Sequence, residues 1–230
     1  MLLSYISQPQ IWNKYAYTIN NPLNHTDPDG RRPLTKEDRD RIAHLWHAAE
    51  ATAKEDGNDK LLERVSEAIG DIIHAIHDVP ESQADPANLK AVFWAIDNLG
   101  NSVYGENGTV SNGVTVTLGA GKNKCNLFVA NAYAFGAGVG FDGQGVPTYS
   151  TMLGSLIGRK KPPSANDLAN PSISISNFPV VKRPGVGIVV AFPPGPLDVL
   201  GHSGISAGGV DVIVCRPERW KGGNSLLCND

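Results

Sequence analysis

A chain of 230 residues with 41% hydrophobic and 19% charged residues can bury one sizeable core and has length for a smaller second unit. Its formal net charge of −3 excludes the basic footprint that nucleic acid or an anionic membrane would require, and VGIVVAF is far too short to span a bilayer. Three cysteines, Cys125, Cys215 and Cys228, do not form a disulfide framework. Cys215 and Cys228 could pair in an oxidising compartment, and the absence of any CxxC or Cys/His cluster argues against zinc.

In chain order, MLLSYISQPQ lacks both a basic start and a sustained apolar run, so no signal peptide is predicted. The following stretch, WNKYAYTINNPLNHTDPDG, carries strong turn signals at Asn21-Pro22 and at Asp27-Pro28-Asp29-Gly30. This stretch resembles the end of the core domain of RHS-repeat proteins, where an aromatic–Asn–x–Tyr run leads to NP and then DPxG. The resemblance implies a β-cocoon core, a variable toxin after the boundary, and self-cleavage near it by paired aspartates, which Asp27 and Asp29 would match. Arg31-Arg32 stands where that family commonly has Leu or Met. Residues 1–33 are therefore expected to be the end of such a core and a linker.

Residues 34–100 carry helical periodicity. Thr35 with Asp38 reads as an N-terminal cap, and the helix to about Lys54 lines up Ile42, Leu45, Trp46 and Ala49. Gly57-Asn58 breaks it. A second helix from Lys60 to about His77 aligns Leu61, Leu62, Val65, Ile69, Ile72, Ile73 and Ile76. Pro80 and Asp85-Pro86 separate a third, Asn88 to Leu99, with Val92, Phe93 and Ile96 inward. The pairs His44/His47 and His74/His77 share helical faces but have no evident third metal ligand.

Residues 101–230 are rich in glycine and proline. One strand is expected at Val114–Thr117, a helix from Cys125 to about Phe135, and turn and loop over 136–183. Three strands should follow: VGIVVAF (186–192), HSGISAG from His202, and VDVIVC (210–215), the last two joined at Gly208-Gly209.

The chemistry centres on Cys125 and His202. A thiol is mostly protonated at neutral pH, and only the thiolate attacks carbonyls. A helix N-terminus and a neighbouring imidazolium both favour the thiolate. The free N–H groups of the first helical turn can also bind an oxyanion, with Asn123 and Asn126 as further polar candidates. His202, entering a strand, would act as general base and then protonate the leaving amine. Asp211 on the next strand is the favoured group to orient it, with Asp198, Glu218 and Asn224 as rivals.

KCNLFVANAYAFGAG followed by PGVGIVVAFPPG and GHSGI resembles the NlpC-type and CHAP cysteine peptidases and amidases of the cell wall, over roughly residues 121–215. The resemblance implies a papain-like α+β domain over 101–230, its central helix packed on a small antiparallel sheet and preceded by a helical unit. It assigns Cys125 as nucleophile and His202 as base. Gly187 departs from the pattern, since that strand usually carries Asp there, and the third polar position falls near Val214-Cys215, which supplies no clear orienter.

Together the two resemblances imply an injected toxin that hydrolyses peptidoglycan stem peptides in the target periplasm, needs no cofactor and is blocked by a cognate immunity protein. Two alternatives stand beside it: a cysteine protease, deamidase or acyltransferase acting on a target-cell protein, and a non-catalytic binding module.

Overall fold

The computed structural model describes residues 32–80, 83–104, 108–111, 117–118, 124–139, 163–173, 175, 178–182, 185–193, 201–208, 211–214 and 225–227. The fold is α+β. Three helices come first: α1 (Lys36–Asp56), α2 (Asp59–His77) and α3 (Ala87–Asp97). The expected cap is a full capping box: the Asp38 N–H donates to Thr35 Oγ1 at 3.1 Å, and the Thr35 N–H donates to Asp38 Oδ2 at 2.9 Å. Gly57, at φ +62°, ends α1 in the left-handed conformation that glycine adopts without strain.

The apolar stripe of α2 buries Leu61, Val65, Ile69, Ile72 and Ile76, each contributing about 1.5–3 kcal/mol of transfer free energy. Arg32 fastens the entering chain to this helical unit. Its guanidinium donates to Asp38 at 2.8 Å and to Asp85, while its carbonyl accepts from His77 Nδ1 at 2.8 Å. Asp38 is 2% exposed, so this ion pair is well shielded from water.

Two short strands, β1 (Val110–Ser111) and β2 (Thr117–Leu118), pair antiparallel. Helix α4 (Cys125–Asn131) then runs directly into a π-helical segment, Ala132–Ala137. A short helix, α5 (Ala165–Ala169), falls inside the stretch expected to be loop. Its signal was present in the sequence, because Ser164 and Asp167 form a second capping box.

The main sheet has the order β3 (Val189–Phe192), β4 (His202–Gly208), β5 (Asp211–Val214) and β6 (Ser225–Leu227). The first three are antiparallel neighbours, as expected. β6 runs parallel to β5, so the sheet is mixed rather than wholly antiparallel. No local signal in the sequence foretold this fourth strand, because its pairing depends on where the chain returns. β3 begins at Val189 rather than Val186, since Val186 and Gly187 form a turn.

β4 is buried along its whole length. Strands flank both its edges, so helices must cover its faces, and α2 and α4 both pack against it. Apart from His202 and Ile205 its residues are small (HSGISAG), which permits close approach. A side chain built on Gly208 would place its Cβ 2.5 Å from that of Asp71 on α2.

The expected division near residue 100 is not a division of the core. One cluster joins Ile42, Ile72 and Val92 of the helical unit to Leu127, Phe128 and Ile205 of the later part. A Cβ on Gly136 would lie 2.6 Å from Trp94 Cβ of α3. The Asn88 amide donates to the Val186 carbonyl at 2.9 Å. Gly187, at φ +74°, is packed so closely on the Asn88 backbone that a Cβ would overlap its carbonyl. That contact explains why this turn position is glycine.

Two outcomes follow. Gly187→Ala combines left-handed strain with overlap on Asn88 and should cost about 3 kcal/mol in urea unfolding. For Asp38, burial alone would raise the carboxyl pKa, but bonds from Thr35 and Arg32 outweigh burial and hold it below the ordinary value. Its contribution is therefore complete above the unfolded pKa of about 3.9 and is lost as pH falls through the lower folded value. Asp38→Asn should cost about 3 kcal/mol at neutral pH and flatten the acid limb of stability, read by urea titrations across pH.

Candidate active site

Cys125 is the first residue of α4, with Lys124 at the N-cap and the first helical bond running from the Phe128 N–H to the Lys124 carbonyl at 2.8 Å. Apolar packing fixes this helix. Leu127, Phe128 and Val129 are fully buried, and Phe128 meets Tyr104 edge-on with ring centroids 5.0 Å apart. Farther along, Asn131 donates to the Tyr104 hydroxyl at 2.8 Å. The Tyr133 hydroxyl donates to the Gly187 carbonyl, and burial pushes its pKa up to about 12. These contacts bind the far end of the helix to the turn that launches β3.

His202 is the first residue of β4 and lies opposite Phe192 of β3. Since α4 packs on β4, the thiol-bearing helix and the imidazole-bearing strand meet in the interior. Cys125 and His202 are each 2% exposed. In so dry a setting charge–charge interactions are strong.

Other expected site residues fall elsewhere. Asp211 pairs with Gly208, at the opposite end of the seven-residue strand β4 from His202. At 3.3 Å per residue the backbone separation is roughly 20 Å, several times hydrogen-bond reach. Asp211 therefore does not orient His202, because antiparallel pairing through a tight hairpin places the first residue of β5 beside the last of β4. Asn126 donates its amide to the Pro163 carbonyl at 3.2 Å, which ties α4 to the segment leading into α5. Asn123, Asp27, Asp29, Asp198, Glu218, Asn224, Cys215 and Cys228 lie outside the described residues.

Three of the four histidines in the two pairs have partners in the helical unit. His47 contacts Glu50 at 3.1 Å, His74 contacts Asp78 at 3.0 Å, and His77 bonds the Arg32 carbonyl. Among the described residues no cluster of three or more His, Cys, Asp or Glu side chains could hold a metal ion, and no helix is long and apolar enough to cross a membrane. A cleft of about 320 Å³ opens beside α2, lined by Asp71, His74, Asp78, Asn88 and Val186, away from Cys125 and His202.

Two buried charged residues escaped the sequence reading. Asp167 is buried on α5, which packs against β3 and β4, and its Oδ2 accepts from the Ser164 N–H at 2.8 Å and hydroxyl at 2.5 Å. Lys124 is fully buried beside Cys125. A lysine ahead of a helix reads as a solvated residue, so nothing local announced its burial.

Comparison with protein-family models, curated proteins and solved structures finds no match. The α+β class thus rests on this chain's own fold.

Because Asp211 lies at the far end of β4 from His202, Asp211→Asn should leave the Cys125 pKa unchanged. Ultraviolet thiolate absorbance across pH, with Cys125→Ser as reference, checks this, and a clear upward shift would restore Asp211 to the site.

Proposed function

We propose that this protein is a papain-like cysteine hydrolase, the toxic part of an RHS-type polymorphic toxin, acting on amide bonds of peptidoglycan stem peptides. The observation that carries the reading is the packing of the Cys125 helix on the strand that His202 begins, with both residues buried. A thiol at a helix start facing a strand-borne imidazole is the arrangement nucleophilic amide cleavage requires. The small-residue strand and the glycine-rich turn before β3 support it by letting the helix approach the sheet closely.

In the proposed cycle His202 takes the Cys125 proton, and the sulfur attacks the amide carbon. Backbone N–H groups of the first turn of α4 hold the oxyanion. His202 then returns the proton to the leaving amine as the C–N bond breaks, which leaves a thioester. Water, deprotonated by His202, attacks the thioester carbon; the acid departs and the thiol is restored. A sulfur this deep is reached only by a narrow, extended substrate, and a stem peptide is one. No cofactor takes part. Delivery by a contractile injection system, action in the recipient periplasm, and a cognate immunity protein covering the cleft belong to the same proposal, on the strength of the NP…DPDG segment.

Purified sacculi test it. Wild-type protein should release defined peptide fragments, while Cys125→Ala and His202→Ala should each lower the rate by at least about 10³-fold. Separation of the fragments by mass identifies the bond. Sacculi left intact by wild-type protein would sink the cell-wall substrate.

A further inference from the structure

The cleft beside α2 takes no part in the thiol chemistry, yet its walls are well fixed. α2 and its cap supply Asp71, His74 and Asp78, the start of α3 supplies Asn88, and the turn into β3 supplies Val186 and Ile188. Contacts between these three parts set its shape. The Asn88 amide donates to the Val186 carbonyl at 2.9 Å, and Gly187 is packed on the Asn88 backbone. The volume of about 320 Å³ falls at the small end of the range of about 300–1,000 Å³ that holds small organic ligands.

Two carboxylates share one wall of this cleft. Asp71 and Asp78 stand two helical turns apart on the same face, and at 1.5 Å per residue their Cα atoms are separated by roughly 10 Å. His74 stands between them and contacts Asp78 at 3.0 Å. Asp71 has no hydrogen-bond or ion-pair partner among the described residues, and it lies against Gly208 of β4. Across from them Val186 and Ile188 are apolar. Carboxylates this far apart cannot share one metal ion, whose oxygen ligands must come within about 2.6 Å of it. Each can instead hold its own ammonium at about 2.8 Å.

We propose that this cleft binds a linear chain carrying two amine cations, one ammonium on Asp71 and the other on Asp78, with the methylenes between them along Val186 and Ile188. Charge complementarity selects the cations, and the apolar side selects an alkyl chain to join them. Both carboxylates are exposed, so a single ion pair with either is weak. Two ammoniums on one chain act together, because the first contact delivers the second at high effective concentration. The site is separate from Cys125 and His202 and does not depend on the hydrolase reading.

Titration of the isotope-labelled whole chain with cadaverine, followed by NMR at neutral pH, tests this. Resonances of Asn88, Gly185 and Val186 should move together and saturate. Pentylamine, with one ammonium and the same chain, should bind about fivefold more weakly. Asp71→Asn and Asp78→Asn should each weaken cadaverine by a similar factor, and the spectrum itself reports that these near-isosteric surface variants remain folded. Cys125→Ser should bind like the wild type, whether or not sacculi are digested. Shifts that fail to saturate, that spread over the surface away from the cleft, that are equal for pentylamine, or that persist undiminished in both aspartate variants would each overturn the proposal.

Discussion

Complete burial of strand β4 is the constraint on which the rest of this structure depends. With strands on both edges and helices over its faces, β4 has room only for small side chains between His202 and Gly208, apart from Ile205, which joins the core. The contact of Gly208 with Asp71 shows how close α2 comes. A strand so enclosed carries whatever stands at its first position into the interior, and that residue is His202. The imidazole is thereby placed by packing, and only its chemistry remains to be supplied by neighbours.

The helical lead-in is part of the same construction. Its side chains enter the core that also holds Leu127 and Phe128, and its third helix receives Gly136 and Gly187 at near-contact distance. α3 therefore acts as a wall against which the Cys125 helix and the β3 turn are both set. Arg32, held by Asp38 and Asp85, fastens the start of this assembly just beyond the DPDG segment. The fastening at Arg32 and the helix that carries the thiol are linked through one continuous core.

Legibility followed the range of the physical signal. The three helices were readable because apolar periodicity and caps act over a few residues, and Thr35 with Asp38 formed the expected box. Cys125 and His202 were readable because a helix start and a strand start are local features. The α5 box at Ser164 and Asp167 was equally local, but it was submerged in a stretch dense with proline and asparagine. Asp211 was misplaced for a different reason: alternation in a strand indicates a face, whereas distance along the partner strand depends on hairpin register. Asn126 was likewise committed to Pro163 by a contact between segments far apart in the chain.

The amino-acid sequence by itself determined the helices, the strand run, and the placing of Cys125 at a helix start and His202 at a strand start, since propensity and capping belong to single residues and their near neighbours. Only the tertiary structure decided that the helical unit and the sheet share a core, that β6 joins the sheet in parallel, that Gly187 must be glycine, and that Lys124 is fully buried while Asp211 is remote from His202. Those outcomes depend on which surfaces are pressed together and in what register. Such a property belongs to pairs of segments distant in the chain, and no local pattern carries it.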